Sequence, residues 1–177
     1  QTCALPIYVL IIEPKVFGDD RGFFFESFNQ AAFAQATGLS PQFVQDNHSR
    51  SAKGVLRGLH YQIQQAQGKL VRVVRGRVFD VAVDLRRSSA HFGRWFGVEL
   101  TESNHRQLWV PPGFGHGFLT LSDSAEFLYK TTDYYAPQHE RCIAWNDPSI
   151  AIDWPLEGIT VALSAKDQQG LSLTQAE

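Results

Sequence analysis

The chain has 177 residues, of which 44% are hydrophobic and 19% charged, and its formal net charge at pH 7 is -2. This is the composition of a folded globular domain, and it gives no basic surface for nucleic acid or an acidic membrane. No apolar run reaches the ~20 residues that span a bilayer, and Cys3 and Cys142 form neither a CxxC pair nor a disulfide framework. We therefore expect a cytoplasmic protein that binds neither nucleic acid nor membranes.

The first residues, QTCALPI, do not resemble the start of a protein. The chain contains no methionine, even at position 1, and this heptapeptide is also the translation of the end of a common sequencing-library adapter. A cleaved signal peptide is the rival explanation, but the segment has no basic n-region and no hydrophobic region of sufficient length. We interpret residues 1–7 as an assembly artefact and predict one domain over residues 8–177.

The rest of the chain predicts an all-β fold. Short runs rich in Val, Ile, Phe, Trp and Tyr recur between Gly, Pro, Asp and Asn, as in a sandwich or barrel. One short helix is predicted in NQAAFAQATG, with Asn29 as its N-cap and Gly38 beyond its end. The C-terminal segment QQGLSLTQAE is expected to be loosely held. The predicted strands are residues 9–13, 22–27, 43–49, 55–62, 69–75, 78–85, 94–100, 106–111, 116–122, 125–135 and 141–146.

Strand alternation predicts that several polar side chains share faces with apolar ones. Lys130 is expected on the face opposite Tyr129, and Asp46 and His48 on the face opposite Asn47. These groupings direct several polar side chains into one barrel mouth, a common place for a ligand site. The pattern groups Phe127 with Tyr129 and Thr131, Lys69 with Val71 and Val73, Gln45 with Asn47, and His116 with Phe118 and Thr120.

The segment VLRGLHYQ, residues 55–62, places charged groups in an apparently buried strand. Burial of a charge is costly unless the charge is paired. Simple alternation predicts that His60 points with Leu56 and Gln62. Arg57 then faces the other way, unless Gly58 introduces a bulge.

Taken singly, these residues have ordinary structural interpretations. A lone histidine in a strand is usually a hydrogen-bonded or surface residue. Lys69 follows a glycine at the start of a strand and would commonly be solvated. Tyr129 could be a core tyrosine whose hydroxyl finds a backbone partner.

A histidine-liganded metal is one functional hypothesis. Such a site in a small β-barrel needs about three His and a carboxylate, commonly with a close HxH pair. The six histidines contain no HxH pair, and only His60 and His116 are predicted to face inward. The sequence therefore argues against a functional metal.

Proton transfer next to a ketone is a second hypothesis. Epimerisation of such a carbon needs a base near neutral pKa, a group that stabilises the enolate oxygen, and an acid on the opposite face. His60, Lys69 and Tyr129 are suitable residue types, and Asp167 is a candidate carboxylate to orient the histidine. Basic and amide side chains suit a phosphate-bearing substrate, and the candidates are Arg21, Arg57, Gln45 and Asn47.

Several long motifs, in order, resemble the dTDP-4-dehydrorhamnose 3,5-epimerase family from about residue 8 to about residue 168. They include FGDDRGFFFESFN, FVQDNHSRSAKGVLRGLHYQ, QGKLVRVVRGRVFDVAVDLRRSS, RQLWVPPGFGHGFLTLSDSAEFLYKTTDYYAP and LSAKD. The resemblance implies a cupin jelly-roll β-barrel or sandwich with one or two short peripheral helices. It also implies a homodimer with exchanged strands and a dTDP-sugar substrate, with neither a metal nor another cofactor.

The resemblance also implies roles for individual residues. His60 corresponds to the base that removes the C3 and C5 protons, Asp167 to its dyad partner, Lys69 to the group at the enolate oxygen and Tyr129 to the acid. Tyr135 corresponds to the aromatic residue that stacks on thymine, with Tyr134 a lesser candidate. The remaining implied substrate-binding positions, of which the first two are expected to reach across a dimer interface, are Arg21, Glu26, Gln45, Asn47, Arg57, His116, Glu140 and Lys166.

Three alternatives remain open at this point. A relative that acts on one carbon only, or a sugar-nucleotide ketoisomerase, would share most of these residues. A metal-dependent cupin oxygenase and a catalytically silent sugar-nucleotide binding protein are alternatives from other classes.

Overall fold

A computed structural model describes residues 2–4, by their backbone alone, and residues 8–177. The described residues form thirteen strands, of which all but two short ones, β1 and β3, overlap the predicted runs. The strands are β1 (Thr2–Ala4), β2 (Leu10–Ile12), β3 (Phe17–Asp19), β4 (Gly22–Phe24), β5 (Gln45–Ala52), β6 (Leu56–Gln62), β7 (Lys69–Arg75), β8 (Arg77–Asp84), β9 (Trp95–Thr101), β10 (Gln107–Val110), β11 (Phe114–Thr120), β12 (Ser124–Thr131) and β13 (Glu140–Cys142).

The helix α1 (Gln30–Thr37) begins and ends where its caps predict. Asn29 Oδ1 accepts a hydrogen bond from the Ala32 N–H at 3.1 Å. Gly38 has a left-handed φ of 73° and its N–H donates to the Ala34 carbonyl. Single 3-10 turns occur at Pro137–His139, Asp167–Gln169 and Leu173–Gln175. No helix in the described part of the chain is long and apolar enough to cross a bilayer.

Two mainly antiparallel sheets pack face to face as a sandwich rather than a closed barrel. The six-stranded sheet has the order β1-β2-β10-β7-β12-β5, and the five-stranded sheet has the order β13-β6-β11-β8-β9. β3 and β4 form a separate ribbon. Val71 and Phe127 of the first sheet meet Ala82 and Phe118 of the second in the buried core. The strand alternation predicted for β7 and β12 is confirmed by these contacts.

A second apolar layer covers the outer face of the five-stranded sheet. Leu56 and Val81 of the sheet pack there against Trp154 and Leu173 from the C-terminal segment. The prediction that residues 168–177 are loosely held is wrong, because Leu173 is buried and the Leu171 N–H donates to the Cys142 carbonyl at 2.9 Å. This layer holds both sides of the turn Asp167–Gln169, because Leu163 and Leu173 pack in it.

A bulge in β6 is the exception left open for Arg57, and it makes the predicted shared face of His60 and Leu56 wrong. His60 is opposite His116 of β11, but Arg57 is opposite Phe118, so β6 has one residue more than its neighbour. Gly58 has a φ of 114°, and a Cβ there would lie 2.6 Å from the His116 carbonyl oxygen. Leu56 therefore lies in the outer apolar layer, while Arg57 and His60 line one cavity.

Candidate active site

Polar side chains from both sheets line two cavities inside the sandwich. The larger, about 340 Å³, is lined by Asn47, Arg57, His60, Lys69, His116 and Tyr129 among others. A smaller one of about 80 Å³ shares His60, Lys69 and Tyr129 and is also lined by Gln62, Tyr135 and Glu140. His60 belongs to the five-stranded sheet, whereas Lys69 and Tyr129 belong to the other. Groups able to act on a bound molecule therefore approach it from opposite walls.

His60 is oriented by a buried carboxylate that lies far away in the chain. His60 Nε2 lies 2.6 Å from Asp167 Oδ1, across 107 residues of sequence. Asp167 is only 4% exposed, whereas the His60 side chain is 27% exposed and reaches the cavity. The same carboxylate accepts hydrogen bonds from the Gly58 N–H at 3.2 Å and the Ser164 hydroxyl at 2.7 Å.

The environment of Asp167 fixes the position of the proton in this pair. Burial by itself would raise the pKa of Asp167, but the hydrogen bonds from His60 and Ser164 outweigh it and lower the pKa to about 2. The carboxylate is ionised at neutral pH and can only accept hydrogen bonds. In the neutral ring, Nε2 therefore carries the hydrogen and Nδ1 keeps its lone pair. His60 thus presents a base to its surroundings.

Lys69 begins β7 and is buried at the wall opposite His60. Burial lowers the pKa of Lys69 to about 8, and the negative charges of Glu140 and Asp80 limit the fall. At neutral pH the side chain is still mainly cationic. A cation with little water around it stabilises a developing oxyanion more strongly than an exposed one does.

Tyr129 lies on β12 with its neighbour Lys130 on the other face, as alternation predicts. Lys130 Nζ pairs with Asp46 at 2.9 Å on the outer side of the sheet, whereas Tyr129 packs against the core and lines both cavities. Burial and the charge of Glu140 raise the pKa of Tyr129. Its phenol therefore stays protonated at neutral pH and is available as a proton donor.

A hydrogen-bonded group includes Tyr135 and Glu140, which line the smaller cavity. Tyr135 Oη donates to Glu140 Oε2 at 2.6 Å, and Lys166 forms an ion pair with the same oxygen. The Tyr135 N–H donates to Gln45 Oε1 at 3.0 Å, and Gln45 in turn donates to Asn47 Oδ1 at 3.0 Å. Burial tends to raise the pKa of Glu140, but the Lys166 and Tyr135 hydrogen bonds bring it below its usual value.

A second histidine–aspartate pair lies deeper in the five-stranded sheet. His116 Nε2 is 3.0 and 3.1 Å from the two carboxylate oxygens of Asp80, and both side chains are buried. Arg57 lies nearby, where its Nε donates to Ser51 Oγ at 3.0 Å. His116 and Arg57 both line the larger cavity.

Arg21 and Glu26 do not join this group in the single chain. Arg21 lies next to the β3–β4 ribbon, where it pairs with Asp19 and is 90% exposed. Glu26 accepts a hydrogen bond from Asn29 at 3.2 Å and lines a different groove, beside α1. Neither side chain lines the cavities that contain His60.

Three residues beside the site, Asp80, Ser164 and Cys142, are not among the site residues predicted from the sequence. Asp80 gives a usable signal, because an aspartate in the middle of the apolar run VFDVAVDL must find a partner when it is buried. Ser164 lies three residues before Asp167, in LSAKD, at a spacing typical of a side chain that bonds within its own turn. Cys142 Sγ lies 4.0 Å from Asp167 Oδ1, a proximity that no local pattern indicates.

Comparison with known proteins agrees with this architecture over almost the whole chain. The model of the dTDP-4-dehydrorhamnose 3,5-epimerase family matches residues 7–175. A dTDP-4-dehydrorhamnose 3,5-epimerase from Pseudomonas aeruginosa is 65% identical over 169 residues, which are 96% of this chain and 93% of that protein.

Solved structures give the same result. The dTDP-6-deoxy-D-glucose-3,5-epimerase from Legionella pneumophila, in complex with dTDP-4-keto-L-rhamnose, has a TM-score of 0.97 at 54% identity, covering 100% of this chain and 94% of the other. A 3'-monoepimerase from Streptomyces bikiniensis, in complex with dTDP-quinovose, has a TM-score of 0.91 at 36% identity, with 97% and 87% covered. This chain therefore belongs to the dTDP-4-dehydrorhamnose 3,5-epimerase family and is an enzyme of the isomerase class.

Proposed function

We propose that the protein epimerises dTDP-4-keto-6-deoxy-D-glucose at both C3 and C5, without a metal, and forms dTDP-4-keto-L-rhamnose. The observation that carries this proposal is the His60–Asp167 pair facing Tyr129 across a cavity that also contains Lys69. A base on one wall and an acid on the other meet the stereochemical need of inversion, because the proton leaves one face of the carbon and returns to the opposite face.

His60 removes the proton in this proposal, and Asp167 stabilises the imidazolium that forms. The ketone at C4 acidifies both neighbouring carbons, so a single base near that group can act on C3 and on C5. The hydrogen bonds that Asp167 receives from Gly58 and Ser164 hold the carboxylate in place. The ring is then restrained to one orientation without Asp167 itself taking the proton.

Lys69 stabilises the enolate oxygen that develops at C4, and Tyr129 returns a proton from the other wall. The burial of Lys69 strengthens its interaction with the oxyanion. Tyr129 keeps its proton in the resting enzyme, since its pKa is raised. Before the next step, the Tyr129 phenolate takes a proton from solvent and the His60 imidazolium releases one to solvent.

The remaining candidate residues in and around the cavities bind the nucleotide in this proposal. Tyr135 is 51% exposed, which leaves its ring accessible for stacking on thymine. Arg57 and Lys166 are cationic and suit the diphosphate. The other proposed substrate-binding residues are Gln45, Asn47, His116 and Glu140.

We also propose that the enzyme works as a homodimer in the cytoplasm. Arg21 and Glu26 then bind nucleotide in the partner's site, since neither lines the His60 cavities of its own chain. The ribbon beside Arg21 exposes Phe17, Phe23 and Phe24 by 55–68%, and burial of such an apolar patch favours association.

A single epimerisation is the second candidate, supported by the likeness to the Streptomyces bikiniensis 3'-monoepimerase. The two functions differ in which carbons exchange hydrogen. The protein is incubated with dTDP-4-keto-6-deoxyglucose in heavy water, with and without EDTA, and the sugar is examined by NMR. Deuterium at both C3 and C5, unaffected by EDTA, is the expected result.

Other outcomes of this experiment refute the proposal in distinct ways. Deuterium at one carbon identifies a mono-epimerase or an isomerase. Loss of exchange with EDTA identifies a catalytic metal. An absence of exchange in protein that still binds dTDP identifies a nucleotide-sugar binding protein.

A further inference from the structure

A buried cysteine lies beside the His60–Asp167 pair and has no role in the proposed reaction. Cys142 ends β13, which pairs with β6 so that Cys142 is opposite His60. Its sulfur lies 4.0 Å from Asp167 Oδ1. One donor atom from each of His60, Cys142 and Asp167 can be chosen so that all three lie within 4.8 Å of one another. The site thus combines a nitrogen, a sulfur and an oxygen donor.

These three donors have nearly the spacing that a tetrahedral zinc ion needs. Zinc binds imidazole nitrogen, thiolate sulfur and carboxylate oxygen at about 2.0–2.3 Å, which places N and O about 3.4 Å apart and S and O about 3.6 Å apart. The observed distances are 2.6 Å from His60 to Asp167 and 4.0 Å from Cys142 to Asp167. The first must open by about 0.8 Å and the second close by about 0.4 Å, movements that small side-chain rotations supply.

We propose that His60, Cys142 and Asp167 form an inhibitory site for Zn²⁺ and similar borderline-soft divalent cations. Imidazole and thiolate favour such ions over Mg²⁺ or Ca²⁺. The three protein ligands leave the fourth tetrahedral position of the ion to a water molecule. The inhibition, though not the metal site itself, rests on the proposed role of His60 as the base.

Inhibition follows from where the protons go when the metal binds. Coordination at Nε2 uses the lone pair of that atom, so the single proton of the neutral ring moves to Nδ1 and the basic lone pair there is lost. The Cys142 thiol releases its proton to solvent and binds as thiolate. Burial and the charge of Asp167 raise the pKa of this thiol to about 12, so metal affinity increases with pH.

The test compares zinc inhibition in the native protein and in Cys142→Ser, with free Zn²⁺ fixed by a metal buffer. Without zinc, Cys142→Ser should keep its epimerisation rate within about twofold, because the thiol takes no part in the chemistry. At a zinc concentration that lowers the native rate about tenfold, the variant should lose less than about twofold, since removal of a ligand weakens binding at least 10–100-fold. EDTA should restore the native rate.

Two further variants make this comparison secure. Cys142→Ala tests the same point with a side chain that offers no oxygen donor, and it serves if the serine variant does not fold. Cys3→Ser removes the other cysteine of the sequence and should behave like the native protein. Equal zinc inhibition of the native protein and both Cys142 variants would overturn the inference.

Cobalt spectroscopy provides a readout that does not depend on activity. Co²⁺ bound to the native protein and to Cys3→Ser should give tetrahedral d–d bands and a thiolate-to-cobalt charge-transfer band, and the latter should be absent from both Cys142 variants. The charge-transfer band in a protein that exchanges no deuterium would support the metal site and refute the proposed function. Full epimerase activity with no such band would refute the metal site alone.

Discussion

Two histidine–aspartate pairs lie side by side in this molecule and differ mainly in their surroundings. His60 and His116 are opposite each other on β6 and β11, and both line the larger cavity. The His60 side chain is 27% exposed. His116 is 7% exposed and Asp80 is fully buried.

The origin of each carboxylate explains the difference. Asp80 lies on β8, the strand next to β11, so the His116–Asp80 pair forms within the five-stranded sheet. Both side chains are buried there. Asp167 comes from a C-terminal turn that supports His60 from the side away from the cavity. Identical residue types therefore give one pair whose histidine is partly exposed and another whose histidine is nearly buried. The greater exposure of its side chain makes His60, rather than His116, the candidate base.

The largest effect is expected from removing the open histidine. His60→Ala should lower hydrogen exchange at both C3 and C5 by about 10³-fold or more, because the proposed base is lost. His116→Ala is the matched comparison and should retain exchange at a reduced rate. NMR in heavy water measures the exchange, and calorimetry should find dTDP affinity in His60→Ala within about threefold of native. A loss of dTDP binding without a loss of exchange chemistry would contradict the role of base.

Replacing the proposed acid on the opposite wall should separate two steps that His60→Ala removes together. Tyr129→Phe should lower formation of inverted product by about 10²-fold, while proton removal by His60 continues within about tenfold of the native rate. The measurement is the ratio of deuterium incorporation to stereoinversion in the same sample. An unchanged ratio would show that the proton returns from another group.

The two aspartates offer a direct comparison of the pairs. Asp167→Asn should lower kcat by about 10²-fold, because an amide cannot stabilise the imidazolium formed on His60. Asp80→Asn should lower it by only about tenfold, since His116 makes no proton transfer in the proposal. Steady-state kinetics of both variants provide the test. Equal losses would mean that the buried pair takes part in the chemistry.

The smallest expected effect is a shift in the pH dependence of turnover. Asp80 contributes to it because its charge raises the pKa of Lys69. The Lys69 pKa of about 8 predicts that turnover falls with rising pH above about 8, as the ammonium group loses its proton. Because Asp80 is one of the charges that keep this pKa from falling further, Asp80→Asn should move the decline to lower pH. Asp167→Asn should leave it in place. A pH profile of kcat for the three proteins measures the shift.

The lowered pKa of Lys69 also makes the free energy of unfolding depend on pH. The folded-state pKa of Lys69 lies below its ordinary value of 10.5, so the unfolded chain binds more protons between pH 8 and 10.5. The free energy of unfolding contributed by Lys69 therefore rises with pH in that range. Urea unfolding of the native protein and of Lys69→Met at pH 8 and at pH 10.5 measures this change. From the lower to the higher pH, the free energy of unfolding of the native protein should rise relative to that of the variant.

The positions of the helix and of eleven of the thirteen strands in the described residues followed from local patterns in the sequence. The capping residues Asn29 and Gly38 mark the ends of α1 because each satisfies backbone groups that the helix leaves unpaired. Alternation correctly separated Tyr129 from Lys130 because side chains of a regular strand point to opposite faces in turn. The predicted strand at residues 125–135 ends at Thr131, so Tyr134 and Tyr135 lie in a loop and are exposed instead.

The tertiary structure decided which of these side chains meet. The bulge at Gly58 depends on the close approach of Gly117 in the neighbouring strand, and it turns both Arg57 and His60 toward the cavity, which simple alternation did not predict. The pairing of His60 with Asp167 spans 107 residues and depends on the packing of the C-terminal segment. Local sequence determines the conformation and facing of a strand, because both arise from neighbouring residues. Register shifts and distant partners arise from contacts between segments, and only the folded chain brings those segments together.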